Sequence, residues 1–269
     1  MPSPSSLLRP GTVSRILIIA GLTAALAACS GDVDPAPGTI NDPYEAVNRR
    51  ILEGTKRTDT ALLRPVSVAY ADTVPPAMQE SIGSFRTNFS TPGYVVNDVL
   101  QMNAEDAAVN TFRFALNSTV GLLGLVDVAA MMGVPARETD FGETLHFWRF
   151  AEGAYVQLPV LGPSTERDVA GKVGDLFLNP LGYVIPAPER YAGTASGVLD
   201  RVGKRGRYAE TVDSVLYGSA DPYAQLRNTY LQQRRYQLSG GASGASDAYD
   251  DPYGASDAYA DPYDDPYAE

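Results

Sequence analysis

Residues 78–89, MQESIGSFRTNF, decide the fold class. Met78, Ile82, Phe85 and Phe89 fall at spacings of four, three and four, which puts them on one face of an α-helix; a strand would need a period of two. The same rhythm recurs on both sides of this stretch. Thr91-Pro92 predicts a fresh helix start, with Thr as N-cap and Pro at the first helical position. NAEDAAVNTFRFAL (103–116) opens with Asn103 as a cap and sets Glu105 and Asp106 in the first turn, where acids favour the helix dipole. Ala108, Phe112, Ala115 and Leu116 share a face of it, and Asn117 and Ser118 read as helix-end residues. Ser164 reads as the cap of a helix carrying Val169, Val173, Leu176 and Phe177. Asp221-Pro222 opens a last helix with Tyr223, Leu226 and Tyr230 on one side. Strand alternation is scarce outside AYVQLPV (154–160), so the expected class is all-α.

Two segments depart from this amphipathic pattern. LLGLVDVAAMM (122–132) is apolar almost all round, with Asp127 its only charge. Periodicity favours a buried core helix, and a lipid-facing helix is the alternative. LFLNPLGYVIPAP (176–188) has no charge, and Pro180, Gly182 and Pro186 would break a helix. Such a loop either packs inward or dips into lipid as a hairpin.

The lone cysteine lies in AALAACSGD (24–32). A single thiol excludes an internal disulfide and has no partners for a metal. Arg9 and Arg15 precede an apolar run, Ile16 to Ala28, that is too short to span a bilayer and has the anatomy of a secretory signal. Leu26-Ala27-Ala28-Cys29 resembles the bacterial lipobox, in which the cysteine sulfur is lipidated and the chain is cut before it. A thiolate suits that chemistry, and several acyl chains on one residue make a stable anchor. Ser30 after Cys29 fits sorting to the outer membrane.

The expected organisation is a signal peptide at 1–28, an acylated tether at 29–40 (SGDVDPAPGTI is small, polar and Pro/Gly-bearing), a helical domain at 41–238 and a disordered acidic tail at 239–269. The tail repeats ASDAYDDPYG and ASDAYADPYD, carries eight acids and has no Lys or Arg. It cannot bury enough apolar surface to offset chain entropy. Losing the leader removes Arg9 and Arg15 and no acid, so the mature chain is two charges more negative than the formal −11 of the whole sequence. That balance argues against nucleic acid, which is held by clustered Lys and Arg.

Catalytic motifs are missing. His146 is the only histidine, and no G-x-S-x-G elbow, G-x-x-x-x-G-K-[ST] loop, G-x-G-x-x-G or H-E-x-x-H occurs. The acid pairs Asp168/Asp175 and Glu138/Asp140 read as solvated carboxylates. No enzyme, cofactor or metal is called for.

Seven segments, taken in order, resemble the MlaA (VacJ) family of phospholipid-binding outer-membrane lipoproteins: NDPYEAVNRRI (41–51), RPVSVAYADTVP (64–75), FRTNFSTPGYVVNDVLQ (85–101), RFALNSTVGLLGLVDVA (113–129), FGETLHFW (141–148), YVQLPVLGPSTERDVAG (155–171) and DPYAQLRNTYLQQRR (221–235). The chain departs at HFWRFAEGAY, with Arg149 and Glu152, where the family commonly has a Gly/Pro-rich link. The resemblance implies a ring-shaped helical bundle in the inner leaflet of the outer membrane of a Gram-negative bacterium. It implies an amphipathic pore that returns strayed phospholipids from the outer leaflet to a periplasmic carrier of the MlaC type, and association with a trimeric porin. On this basis Leu122, Leu125, Val126, Met131, Leu178, Leu181, Tyr183 and Val184 become lipid-contact or pore candidates. Val47 and Asn48 become gating candidates, beside the plainer readings of core packing for Val47 and a helix-internal hydrogen bond for Asn48. A lipoprotein that scaffolds porins without moving lipid is the alternative function.

Overall fold

The computed structural model describes residues 40–239. The leader, Cys29, the tether up to residue 39 and the tail beyond Ser239 lie outside the described residues.

The chain enters through α1 (Glu45–Thr58), with Glu45 in its first turn and Lys56 and Arg57 in its last, the charge order its dipole favours. A π-helical turn (Asp59–Leu63) leads without a break into α2 (Arg64–Thr73). There the chain stops because Val74 precedes Pro75 and takes an extended conformation. Next come α3 (Pro76–Leu100), α4 (Ala104–Thr119), the single turn α5 (Val128–Met131) and α6 (Phe141–Phe147). Strands β1 (Tyr155–Leu158) and β2 (Gly162–Thr165) form an antiparallel hairpin, Tyr155 opposite Thr165 and Leu158 opposite Gly162. It is followed by α7 (Glu166–Leu178), the turn α8 (Leu181–Val184), α9 (Ala192–Arg207), α10 (Ala209–Tyr217) and α11 (Pro222–Leu238). The class is all-α, as expected: that hairpin holds the only strands among the described residues.

Two of the expected caps form, at Asn103, which accepts from Asp106 N, and at Asp221, which accepts from Ala224 N. Two other expectations are corrected. No helix starts at Thr91-Pro92, because α3 runs through Pro92. Proline there removes one helical donor. Thr91 turns its hydroxyl back onto Thr87 O at 2.8 Å, and α4, α6, α7 and α9 pack against α3 along its length and hold its course. The cap before α7 is Thr165, not Ser164: the hairpin keeps 162–165 extended, so Asp168 N meets the Thr165 hydroxyl and Ser164 accepts from Lys172 instead.

Among the described residues a conventional apolar core forms where Leu52 (α1), Tyr155 (β1), Tyr223 and Leu231 (α11) pack together. Elsewhere burial is inverted. In α4 the enclosed residues are Asn110, Arg113 and Asn117, while Ala108, Phe112 and Ala115 point outward. In α3 the buried set is Gln79, Asn88, Thr91, Asn97 and Asp98, and Met78 and Val99 are exposed. In α7, Arg167 and Asp168 lie inside and Val173, Leu176 and Phe177 outside. Six hydrophobic residues are buried among the described ones, against eighteen polar or charged residues, the reverse of a chain folded for water on all sides.

Candidate functional site

The apolar run at 122–132 is not a buried helix. Leu122 and Leu123 adopt left-handed backbone (φ 52° and 62°), followed by Gly124 at 92°, and only Val128–Met131 is helical. Leu122 and Leu123 are 67% and 68% exposed, Met131 is 79% exposed, and Leu125, Val126 and Met132 also lie outside. Only Gly124 and Ala129 of the run are enclosed. Backbone strain of about 1–3 kcal/mol per residue is offset by no burial of these leucines within the chain. A polar frame holds the loop in this state. Asp127 caps α5 through Ala130 N (3.0 Å), accepts from Asn117 Nδ2 (2.9 Å) and pairs with Arg113 (2.6 Å). Asn117 Oδ1 accepts from Ala129 N, and the Asn88 amide donates to Leu123 O and the Ser118 hydroxyl. Gly124 is required here, since a Cβ would sit 2.3 Å from that of Asn88.

A second outward apolar group comes from α7 and α8. Leu176, Phe177, Tyr183 and Val184 are exposed, Val184 at 77%, while Leu178 and Leu181 are half-buried. The segment 176–188 thus does not pack inward as a whole. Among the described residues no helix is long and apolar enough to cross a membrane.

Beneath these surfaces lies a network of paired polar side chains. Asn97 donates to Asp175 (3.1 Å) and accepts from the Thr144 hydroxyl (2.9 Å), and Asn110 donates to Asp98 (2.8 Å). Arg234 of α11 joins Asp140 (2.7 Å) to Asp168 (3.0 Å) beside a cavity of about 150 Å³ that Asp175 and Lys172 also line. Burial pushes the Asp175 carboxyl up to about 6, against the Asn97 amide. Asp168 and Asp175, expected to be solvated, are therefore parts of a neutralised interior. His146 stands 3.4 Å from Arg167, and burial together with that charge keeps its pKa below the usual value.

The two gating candidates part company. Val47 is 54% exposed, so it is not core packing. Asn48 is 1% exposed, and its bonds leave its own helix: Nδ2 donates to Asp42 Oδ1 and Tyr155 O (3.1 Å each), and Oδ1 accepts from Gln157 N (3.0 Å). It welds α1 to β1. Asn48→Ala leaves a buried carbonyl and a buried N–H without partners, and the expected loss is about 3 kcal/mol of stability, read by denaturant unfolding in detergent; an unchanged midpoint would refute the weld. At the departure from the family pattern, Glu152 forms a two-pronged pair with Arg235 (3.0 and 3.1 Å).

Sequence reasoning missed the frame around the loop and the outward turn of Leu123 and Met132. A signal was present: Asn110, Arg113 and Asn117 are spaced as one polar helix stripe.

A family model described as MlaA lipoprotein matches residues 40–237. The chain is similar to the Intermembrane phospholipid transport system lipoprotein MlaA of Escherichia coli (strain K12), 31% identical over 233 residues, 84% of this chain and 90% of the relative. An uncharacterized protein of Rickettsia felis is 32% identical over 198 residues, covering 72% and 77% of the two chains. Its fold resembles a solved structure described as the structural basis for maintenance of bacterial outer membrane lipid asymmetry, with a TM-score of 0.64 and 30% identity over 73% of this chain and 98% of that one.

Proposed function

The chain belongs to the MlaA lipoprotein family, and from that premise we propose that it takes phospholipids that have strayed into the outer leaflet of the outer membrane back toward the periplasm. One observation carries this reading: the helices around α3 bury their polar faces and turn Phe112, Leu122, Met131, Leu176 and Val184 outward. Each such side chain left in water forfeits about 1.5–3 kcal/mol. Set against acyl chains, the same surface is stabilising. The conventional core of Leu52, Tyr155, Tyr223 and Leu231 then belongs to the water-facing end.

In this reading a signal peptide (1–28) is removed, acylated Cys29 and its tether hold the body (41–238) to the inner leaflet, and the acidic repeat tail (239–269) follows the body. The body forms a ring around an amphipathic pore, gated near Val47 and Asn48. Leu122, Leu125, Val126, Met131, Leu178, Leu181, Tyr183 and Val184 meet lipid. A trimeric porin holds the ring in place, and a soluble MlaC-type carrier receives the lipid.

The energetics require such a path. A phospholipid has about thirty methylenes, and carrying them bare through water would cost about 20 kcal/mol or more. A sheltered route with a wet lane for the headgroup removes most of that barrier without a nucleophile, metal or nucleotide. Direction comes from the carrier, because a passive path that treats both ends alike shifts no equilibrium. Outer-leaflet-selective labelling in a strain lacking the gene tests the reading. Phospholipid accumulating at the cell surface is the expected result; normal asymmetry with disturbed porin complexes would replace transport by scaffolding.

A further inference from the structure

We propose that Arg50, Gly54 and Arg57 on the outward stripe of α1 form a seat for a phosphate ester, the headgroup of a phospholipid in transit. This rests on the transport reading above and names a site within it.

Residues 47, 50, 54 and 57 follow the i, i+3, i+7, i+10 pattern of one helix face, and all four are exposed. Arg49, Arg50, Glu53, Gly54 and Arg57 line a shallow, open depression along this face of α1.

The charges around it do not cancel. Arg49 is held in a two-pronged pair by Asp221 (2.9 Å each) and by Glu45 at 2.8 Å. Glu53, the one carboxylate in the lining, is paired with Lys56 at 3.1 Å. Arg50 and Arg57 have no side-chain hydrogen bond or ion pair among the described residues. Elsewhere Arg64, Arg113, Arg205, Arg227, Arg234 and Arg235 each meet a carboxylate, while Arg149, Arg190, Arg201 and Arg207 also lack one but do not share a face with a second unmatched arginine and a glycine. Two unmatched guanidiniums facing one hollow, in a chain with a formal charge of −11, make a local positive focus.

Gly54 adds a second, independent sign. Glycine inside a helix is destabilising relative to alanine, so it needs a reason. Packing offers none, since nothing lies within 4 Å of where its Cβ would be. What the missing side chain leaves is a notch between Arg50 and Arg57, which stand about 10 Å apart along the axis at 1.5 Å per residue. Two arginine forks closing on that notch from either side match the oxygens of a phosphate ester, which guanidinium groups bind in two-pronged fashion. Val47, one turn nearer the start of the helix, extends the stripe with apolar surface toward the glycerol and the first methylenes.

The full-length protein in a phosphate-free sugar detergent gives the test. Dihexanoylphosphatidylglycerol is the probe, dihexanoylglycerol the control without phosphate, and inorganic phosphate the competitor. Arg50→Gln with Arg57→Gln should weaken phospholipid binding about tenfold or more and leave dihexanoylglycerol binding unchanged. Gly54→Leu should do the same while raising the melting temperature, because it improves the helix and fills the notch. Unchanged phospholipid affinity in both variants would overturn the seat. Inorganic phosphate binding as tightly as the lipid would make it a free-anion site instead. A large affinity gain on removing residues 240–269 would assign the arginines to the acidic tail and also overturn it. The transport reading fails separately, when the strain lacking the gene keeps its asymmetry; if that strain loses asymmetry and the double arginine variant restores it fully, only the seat is refuted.

Discussion

Arg234→Met will cost the fold about 3–5 kcal/mol. Arg234 reaches from α11 to Asp140 at 2.7 Å and Asp168 at 3.0 Å, and Asp168 also accepts from the Tyr230 hydroxyl. Asp168 is buried, so removing Arg234 takes away its hydrogen-bonded cation and leaves the charge out of reach of water. Arg167 stands 3.9 Å away with two of its nitrogens unpartnered, which places the loss toward the lower end of the range. Unfolding by urea in mild detergent reads the loss, and Asp168→Asn added to the variant should recover part of it.

The pH dependence gives a second check. Burial alone would raise the Asp168 carboxyl, but Arg234 and Tyr230 outweigh it and hold it below the usual carboxylate range. A depressed folded pKa contributes stability that is present above the unfolded value, about 3.9, and lost as pH falls below it. In Arg234→Met the same carboxyl is buried without its cation, so its pKa rises and the variant gains stability on acidification from neutral pH. The gap between wild type and variant should therefore narrow from pH 7 toward pH 4. A gap independent of pH would show that Arg234 acts by packing, not by charge.

Changing both Leu122→Asp and Leu123→Asp should weaken contact with a bilayer by about 4 kcal/mol or more, from about 2 kcal/mol of lost burial per leucine before the cost of bringing two carboxylates to lipid. At about 1.4 kcal/mol per factor of ten, that is close to a thousandfold. The measurement is partitioning into vesicles in a Cys29→Ser background, where no acyl anchor masks the difference. The fold should keep its unfolding midpoint, because both side chains already face outward and the frame of Asp127, Asn117, Arg113 and Asn88 is untouched. Unchanged partitioning would remove this loop from the lipid-contact surface.

Part of the candidate site is legible in the sequence. The runs 122–132 and 176–188 stand out because charges are nearly absent, and a composition signal of that kind needs no geometry. The frame under the first run is not legible there. Asp127 meets Arg113 and Asn117 from other turns of the chain, and Asn88 reaches Leu123 O across 35 positions. Asn48 illustrates the same limit: within α1 it looks like an ordinary helical residue, and only the approach of β1 gives its amide the Tyr155 carbonyl and the Gln157 N–H as partners.

The caps at Asn103 and Asp221, most of the helices and the strand near residue 155 follow from sequence, because capping and periodicity are settled by neighbours a few residues away. Local preference misleads at Pro92 and by one residue at Thr165, where packing of α3 and pairing of β2 override it. Which face of each helix lies inside is a matter of tertiary packing alone. An amphipathic period marks two faces and is silent on direction, since the same pattern serves an apolar interior in water and a polar interior in lipid. Phe112 outside and Arg113 inside, on adjacent residues of α4, give that direction for this helix.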